Sequence, residues 1–291
     1  DRVASRGLGD VYKRQLLNTE ITIEANPGSS EFSNFYDYKL FGINRLSIGA
    51  QTFNERTLKK LGRIHNSSDI KNAFDLARRA HFNNINIDIM YGLPNQTISE
   101  AIDDLEKTIA LDPEHISWYE LTLEPNTVFF KNPPKVPSDI RKERMFELGK
   151  EKLLAAGYNQ YEISAYAKPG NQSKHNTNYW EFGDYLGIGA GAHGKLTKAN
   201  IVNRTKKTRN PKDYLKNRNS IAKKVDPEEL IIEFLMNALR LIDGFELSLF
   251  EKRCHQHRSN LKPFLLRALE KNLIEVKSCL LYTSPSPRDA T

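Results

Sequence analysis

Cysteine is scarce in this sequence: only Cys254 and Cys279 occur among 291 residues. They stand far apart, with no second thiol at metal-binding spacing, which excludes a disulfide framework or a cysteine-rich metal site built within the chain. No run of about 18 apolar residues is present, so no transmembrane helix is read. The charged N-terminus has no apolar core of the secretory kind behind it. With 39% hydrophobic residues, the chain reads as soluble and globular, with length for one barrel-sized domain and a small tail domain. The cytoplasm is the expected compartment.

Charge is less decisive. The formal net charge of +7 invites a nucleic-acid partner, but part of it resides in segments that read as foreign. Residues 1–15 (DRVASRGLGDVYKRQ) and 279–291 (CLLYTSPSPRDAT) resemble translated sequencing-adapter sequence and are expected to be non-native flanks. Outside them the excess is that of an ordinary basic surface, and nucleic acid is not the expected partner.

From Leu16 to Gly194, short β-branched or aromatic runs alternate with longer stretches of helical period, as in βα units around a parallel sheet. Strands are predicted at Glu20–Ala25, Arg45–Ala50, Asn84–Met90, His115–Leu123, Gln160–Ser164 and Tyr185–Ile188. Helices are predicted over Ser68–Ala80 and Ser99–Ala110, each with one apolar face, and from a Ser138–Asp139 cap to about Ala156, stopping at Gly157. A closed or partial (β/α) barrel and a doubly wound sheet both fit this pattern. Residues 195–225 are basic and rich in Asn and Thr, and read as a linker or loop arm. Residues 226–278 read as a small, mainly helical second domain: a helix opened by Asp226, helical stretches at Leu247–Arg253 and Leu261–Lys271, and a strand at Leu273–Val276.

In a wound or barrel sheet, groups at the C-terminal strand ends converge on one face. The first strand ends with Glu24 before Asn26-Pro27-Gly28, the second presents Gln51, and the third carries Asp88 among apolar neighbours. A carboxylate there is costly unless it is hydrogen-bonded or paired; Arg63, in LGRIH, is within reach of the same face. One reading is a structural ion pair of Glu24, Asp88 and Arg63. The other is a site for a zwitterionic amino acid joined to a nucleoside, with a carboxylate for the ammonium, Arg for the carboxylate, and Asp or Gln for ribose hydroxyls.

The strings TIEANPG, RLSIGAQTF, LGRIHN and NIDIMYGLP, in this order and spacing, resemble the cofactor-binding strands of the coproporphyrinogen-oxidase-like branch of the radical S-adenosylmethionine (SAM) superfamily. The resemblance runs from Leu16 to about Ser278. It implies a partial (β/α) barrel over residues 16–194, and SAM contacts from Glu24 (methionyl amine), Arg63 (carboxylate), and Gln51 with Asp88 (ribose).

The discriminating segment lies further on. His175-Asn176-Thr177-Asn178-Tyr179-Trp180 is similar to the heme-binding HNxxYW motif of HemW-type heme chaperones. That likeness implies heme contacts from His175, Asn176, Tyr179 and Trp180, with His175 the candidate iron ligand, since imidazole is a common axial ligand and the aromatics offer flat faces. His193 is the next candidate. The loop 189–194 matches a bare G-x-G-x-x-G, but no phosphate-facing helix or placed acid follows, so close backbone approach is the expected use of its glycines.

The resemblance has one departure. Radical SAM proteins hold a 4Fe-4S cluster on CxxxCxxC, a string this sequence does not contain, and the first barrel strands are expected to be missing with it. The expected function is therefore heme binding and delivery to an unidentified acceptor protein, with SAM and the 4Fe-4S cluster belonging to the full-length parent. Chaperone rather than enzyme is the expected class. The alternatives are an oxygen-independent coproporphyrinogen III oxidase and, in another class, a basic nucleic-acid module centred on Lys206, Lys207 and Arg209.

Overall fold

In a computed structural model, residues 19–28, 34–217, 221–277 and 280–283 are described. The expected flank at 1–15 lies outside them, as do residues 279 and 284–291 of the other. The chain divides into two compact units. The first runs to Asn159 and includes Ser164–Asn171; the second comprises Gln160–Ile163 and the chain from Gln172 on. The barrel segment expected to reach Gly194 therefore gives way to the second unit earlier.

The first unit alternates strand and helix: β1 (Thr22–Ala25), α1 (Phe35–Leu40), β2 (Arg45–Gln51), α2 (Glu55–Lys60), α3 (Ser67–Arg79), β3 (Ile85–Tyr91), α4 (Ile98–Ala110), β4 (His115–Glu120), α5 (Val128–Lys131) and α6 (Asp139–Ala155). β5 (Asn159–Glu162) and β6 (Ala165–Ala167) follow. β1 to β4 pair in parallel, and β6 joins β4 antiparallel. This is the sheet expected of βα units, since parallel neighbours need a crossover helix. The strands have two unlike faces. Leu46, Ile48, Ala50, Ile85, Ile87, Ile89, Ile116 and Trp118 form the main core with Ile70, Ala73, Phe74 and Ala77 of α3 and Ala101 and Leu105 of α4. The opposite face carries Ser47, Asn86, Asp88, His115, Ser117 and Tyr119, which alternate with those apolar positions.

Capping fixes where the two amphipathic helices begin. α3 starts behind Asn66, whose side chain accepts from Asp69 N while Asp69 returns a carboxylate to Asn66 N; Thr97 and Glu100 form the same capping box on α4. Both caps lie two residues ahead of the serines from which these helices were expected. Arg78 of α3 forks onto both oxygens of Glu114, and Glu114 Oε2 also accepts from Ile85 N, tying α3 to the starts of β3 and β4.

The second unit holds α7 (Lys174–Trp180), β7 (His193–Lys198), β8 (Ile201–Lys206), α8 (Pro211–Lys216), β9 (Ile221–Lys224), α9 (Pro227–Ala238), β10 (Phe245–Glu246), α10 (Leu247–Cys254), a 3₁₀ turn (Arg258–Leu261), α11 (Lys262–Glu270), β11 (Ile274–Lys277) and β12 (Leu280–Thr283). The expectation of a linker over 195–225 is corrected here. β7, β8 and β9 form an antiparallel sheet of order β7-β8-β9, whose polar composition hides backbone pairing rather than marking a loop. The strand predicted at Tyr185–Ile188 reduces to a single bridge between Tyr185 and Lys195. The helical expectation for 226–278 holds for α9, α10 and α11, which pack Leu230, Ile231, Phe234, Phe250, Cys254 and Leu261 into a second core. β12, within the segment expected to be foreign, pairs with β10 and β11.

Trp118 of β4 packs directly against Gly149 of α6. A Cβ at Gly149 would stand 2.7 Å from Trp118 Nε1 and 2.9 Å from Cε2, so a glycine sits in a helix interior despite its entropic cost because the indole occupies the space of a side chain. Gly149→Ala is expected to destabilise the chain by about 1–3 kcal/mol through overpacking, measured as a lowered urea midpoint. An unchanged midpoint would show that the helix can shift without cost.

Candidate functional site

The polar face of the first unit's sheet is one hydrogen-bonded row. Asn86 Nδ2 donates to Ser47 Oγ (2.7 Å) and to Asp88 Oδ1 (2.9 Å), and Ser47 Oγ donates to Asp88 Oδ2 (3.0 Å). His115 Nδ1 (2.6 Å) and Ser117 Oγ (3.0 Å) both donate to Asn86 Oδ1. Asp88 thus has the partners its burial requires, and they are a hydroxyl and an amide rather than Arg63. The guanidinium of Arg63 goes to Asn26 Oδ1 at 2.9 Å, so the structural ion pair of Glu24, Asp88 and Arg63 is not what forms.

At the C-terminal end of this row stands Tyr119 of β4, a residue on which the sequence reading placed no role. Its hydroxyl donates to Gln51 Oε1 at 2.7 Å. Burial pushes the phenol's pKa well above its ordinary value. The nearby carboxylates of Asp88 and Glu24 push the same way, against Arg63 and the Gln51 hydrogen bond. Of the four residues expected at the SAM site, Gln51 thus bonds the Tyr119 hydroxyl directly, while Glu24, Arg63 and Asp88 act on it through their charges. Gln51 and Arg63 line a cavity of about 460 Å³ whose remaining wall is mainly apolar, with Leu61, Met90, Leu121, Val128 and Phe129, and also carries Lys60 and Glu124. A polar edge facing an apolar wall suits an amphipathic zwitterion larger than an amino acid.

Gln51 reaches that cavity through an irregularity. β2 pairs Ile48 with Ile87 but Gln51 with Ile89, so one extra residue on β2 forms a bulge. Ile89 lies in the apolar layer, yet the Gln51 carboxamide meets Tyr119 on the polar face. A left-handed backbone at Gln51, φ 69°, reconciles the two. On the preceding peptide, Ala50 O receives Nε2 of the buried His65 at 3.2 Å. Burial lowers the His65 pKa, with the Ala50 hydrogen bond opposing.

In the second unit, α7 carries the HNxxYW string behind Ser173, whose Oγ accepts from Asn176 N (3.4 Å) and lies 3.2 Å from His175 Nδ1. His175 is exposed on the helix's first turn. Tyr179 and Trp180 line a cavity of about 350 Å³ with Phe182, Tyr185, His193, Lys195 and Arg204. His175 is not in that wall, whereas His193 is. Tyr179 packs edge-on against Tyr185, with ring centroids 4.7 Å apart. One face of Trp180 is covered by the Arg240 guanidinium, 4.1 Å from the ring centroid, so only the remainder of the indole is open to a ligand. Lys195, 1% exposed, donates to Phe182 O and Asp184 Oδ1, both at 2.9 Å. Arg204 is held by Glu233 and Tyr185. Of the glycines in the 189–194 loop only Gly194 serves close approach, a Cβ there standing 2.5 Å from Thr205 Oγ1; a Cβ at Gly189 would meet nothing within 4 Å and one at Gly191 nothing nearer than 3.8 Å, and these two instead take left-handed backbone, φ 111° and 75°. The Gly194 contact lies within the second unit rather than at a barrel edge.

Among the described residues, no group of three His, Cys, Asp or Glu side chains could hold a metal, and no helix is long and apolar enough to cross a membrane. Cys254 is buried in the second core, with its thiol pushed up to about 12 by burial.

The wound sheet with a polar row leading to a nucleoside-sized cavity defines an α/β protein of the radical SAM type. The family model of the radical SAM superfamily matches residues 6–108. The structure of coproporphyrinogen III oxidase HemN from Escherichia coli, a radical SAM enzyme, superposes with a TM-score of 0.76 at 19% identity, over 98% of this chain and 71% of that one; that likeness shows the fold. In sequence, the heme chaperone HemW of Haemophilus influenzae is 48% identical over 259 residues, 88% of this chain and 68% of that protein. HemW of E. coli is 49% identical over 78% of this chain and 61% of its own length, and HemW of Bacillus subtilis 36% identical over 91% and 72%. The chain belongs to the HemW heme chaperone family, and it spans about two thirds of the length of these relatives.

Burial of neutral His65 has a pH consequence. The folded state holds the imidazole below its ordinary pKa of 6.5, so the unfolded chain takes up the proton first as pH falls. The stabilising contribution of His65 is thus present above about pH 6.5 and lost below it. His65→Gln, which keeps a donor but does not titrate, is expected to flatten this part of the acid limb in urea-melt stability against pH. Parallel curves for the two proteins between pH 7.5 and 5 would contradict the assignment.

Proposed function

We propose that this chain binds heme and passes it to an acceptor protein in the cytoplasm, and that its first unit holds SAM rather than a second substrate. The observation that carries the heme reading is the HNxxYW string on α7, with Tyr179 and Trp180 in the wall of a cavity that also presents the His193 imidazole. His175 is the proposed iron ligand, on a first turn of α7 that the Ser173 hydroxyl caps by accepting from Asn176 N, with the Asn176 side chain and the two aromatics contacting the macrocycle. Membership of a family of heme chaperones supports delivery as the outcome of binding, and makes chaperone rather than enzyme the better class.

For SAM, the donor set fits. From the cavity wall Arg63 would hold the methionyl carboxylate and Gln51 a ribose hydroxyl, with Met90, Leu121 and Val128 on the apolar side; Glu24 for the amine and Asp88 for the ribose stand outside that wall. When bound, SAM supplies a sulfonium beside a zwitterionic tail. Tyr119 keeps its proton and orients Gln51, and the hydrogen bonds from Ser47 and Asn86 fix the Asp88 carboxylate along the row. For the 4Fe-4S cluster the residues do not fit: two cysteines cannot supply three thiolates, and Cys254 is locked in a core with a neutral thiol.

Heme titration followed by absorption spectroscopy tests the reading. The chain is expected to give a saturable Soret shift, weakened about tenfold or more in His175→Ala, a difference of about 1.4 kcal/mol. Equal titrations of the two proteins, with the loss appearing in His193→Ala instead, would transfer the ligand role; no saturable shift at all would end the heme reading. Anaerobic reconstitution of the same chain with iron and sulfide is expected to leave no stoichiometric cluster, and a full complement of iron would overturn that part.

A further inference from the structure

The Gln51 carboxamide is aimed at the cavity by contacts that come from outside it. Its own backbone is left-handed and follows a bulge, an arrangement that a residue with a Cβ adopts only when its surroundings over-determine it. On the far side of Gln51 from His65, the next two residues are gripped by one carboxylate. Thr52 Oγ1 donates to Asp104 Oδ2 at 2.6 Å, and Phe53 N donates to Asp104 Oδ1 at 2.7 Å. Thr52 Oγ1 in turn accepts from Asn54 N at 3.0 Å, the residue that caps α2.

Asp104 sits in the middle of α4 and is 2% exposed. It is not in the wall of the Gln51–Arg63 cavity. An apolar residue would serve the packing of α4 against β3 as well as an acid does, without the cost of burying a carboxylate, and burial does hold this one above its ordinary range. What an acid can do there is bind a hydroxyl and a backbone N–H at once, which fixes the path of the chain directly after Gln51. The side chain of Gln51 is fixed to match. Its Oε1 is taken by Tyr119, and its Nε2 lies over Gly49, where a Cβ would approach it to 3.0 Å. The amide nitrogen is what Gln51 has to offer an occupant of the cavity.

We propose that Asp104 is a positioning residue for that occupant, acting through Thr52 and Phe53 to hold Gln51 in the left-handed turn that presents its Nε2 to an acceptor oxygen of a zwitterionic nucleoside. The proposal rests on the reading that the cavity takes SAM. Its signature is energetic coupling: Asp104 matters to binding only while Gln51 is there to be positioned.

The test is equilibrium binding of S-adenosylhomocysteine and SAM to the chain, with Gln51→Ala, Asp104→Ala and the double variant, each checked by a thermal melt. Each single change is expected to weaken binding about tenfold, and the double variant to bind within about threefold of Gln51→Ala, because the two act on one contact. Thr52→Val, which removes the hydroxyl and keeps the shape, is the second route if Asp104→Ala does not fold, and it should weaken binding in the same direction. Wild-type affinity in Asp104→Ala or Thr52→Val overturns the proposal, as does a double variant that loses the product of the two single effects. If the unaltered chain binds neither compound, the SAM reading itself falls and the proposal with it. Binding that is lost in Gln51→Ala but kept in Asp104→Ala removes the proposal alone.

Discussion

The first unit depends on one constraint: a sheet whose two faces must not be exchanged. Residues one step apart on β3 go to opposite environments, Ile87 and Ile89 into a core, Asn86 and Asp88 into a polar row. A one-residue slip of any strand would drive a carboxylate into hydrocarbon and leave its hydrogen-bond partners behind. The row Ser47–Asn86–Asp88–His115–Ser117 therefore sets the register of β2, β3 and β4 together. Because the register is set, the end of each strand is set as well, and with it the group that stands there. The candidate site inherits its geometry from the pairing of the sheet, and only Gln51, past the bulge, needs support of its own.

The second unit solves a different problem. Its elements are short, and its core is assembled from a helix pair, a turn and edge-on aromatic contacts among Phe182, Phe234, Phe245 and Phe250. The hairpin β7–β8 is pinned by Asp184, which accepts from Lys195 Nζ, Thr197 N and Thr197 Oγ1. That anchor holds the segment between α7 and β7, so Tyr179, Trp180, Tyr185 and His193 stay around one cavity although the chain between them has little regular structure.

Much of this is legible in the sequence, for reasons that particular residues make clear. Period-two alternation at β2 and β3 and the apolar faces of α3 and α4 carry their own signal, and the strand-end residues Glu24, Gln51 and Asp88 follow from them. The requirement that half-buried Asp88 have a partner is also readable; which partner is not, because Ser47 and Asn86 are neighbours in space only after the strands pair. Tyr119 is hidden the same way: on β4 it looks like an ordinary aromatic of a strand, and only the bulge in β2 brings Gln51 to it. The antiparallel sheet at 195–225 was obscured by its composition, since an edge-rich sheet with Asn, Thr and Lys on its outer positions has the texture of a loop. The position of His175 relative to the aromatic cavity required the turn at Ser173, which no spacing rule encodes.

Lys195 gives the second unit a chemical marker. Its amine is enclosed by Phe182 O and the Asp184 carboxylate, with the Phe182 ring 4.3 Å away, and burial lowers its pKa against the pull of Asp184. Amine-reactive reagents modify the lysines of the surface from the outset, but this nitrogen becomes nucleophilic toward them only when β7 lifts from Phe182 and Asp184. The rate at which a label reaches Lys195 is thus a clock for local opening of the unit that holds the aromatic cavity, readable by mass spectrometry on a single peptide without unfolding the rest of the chain.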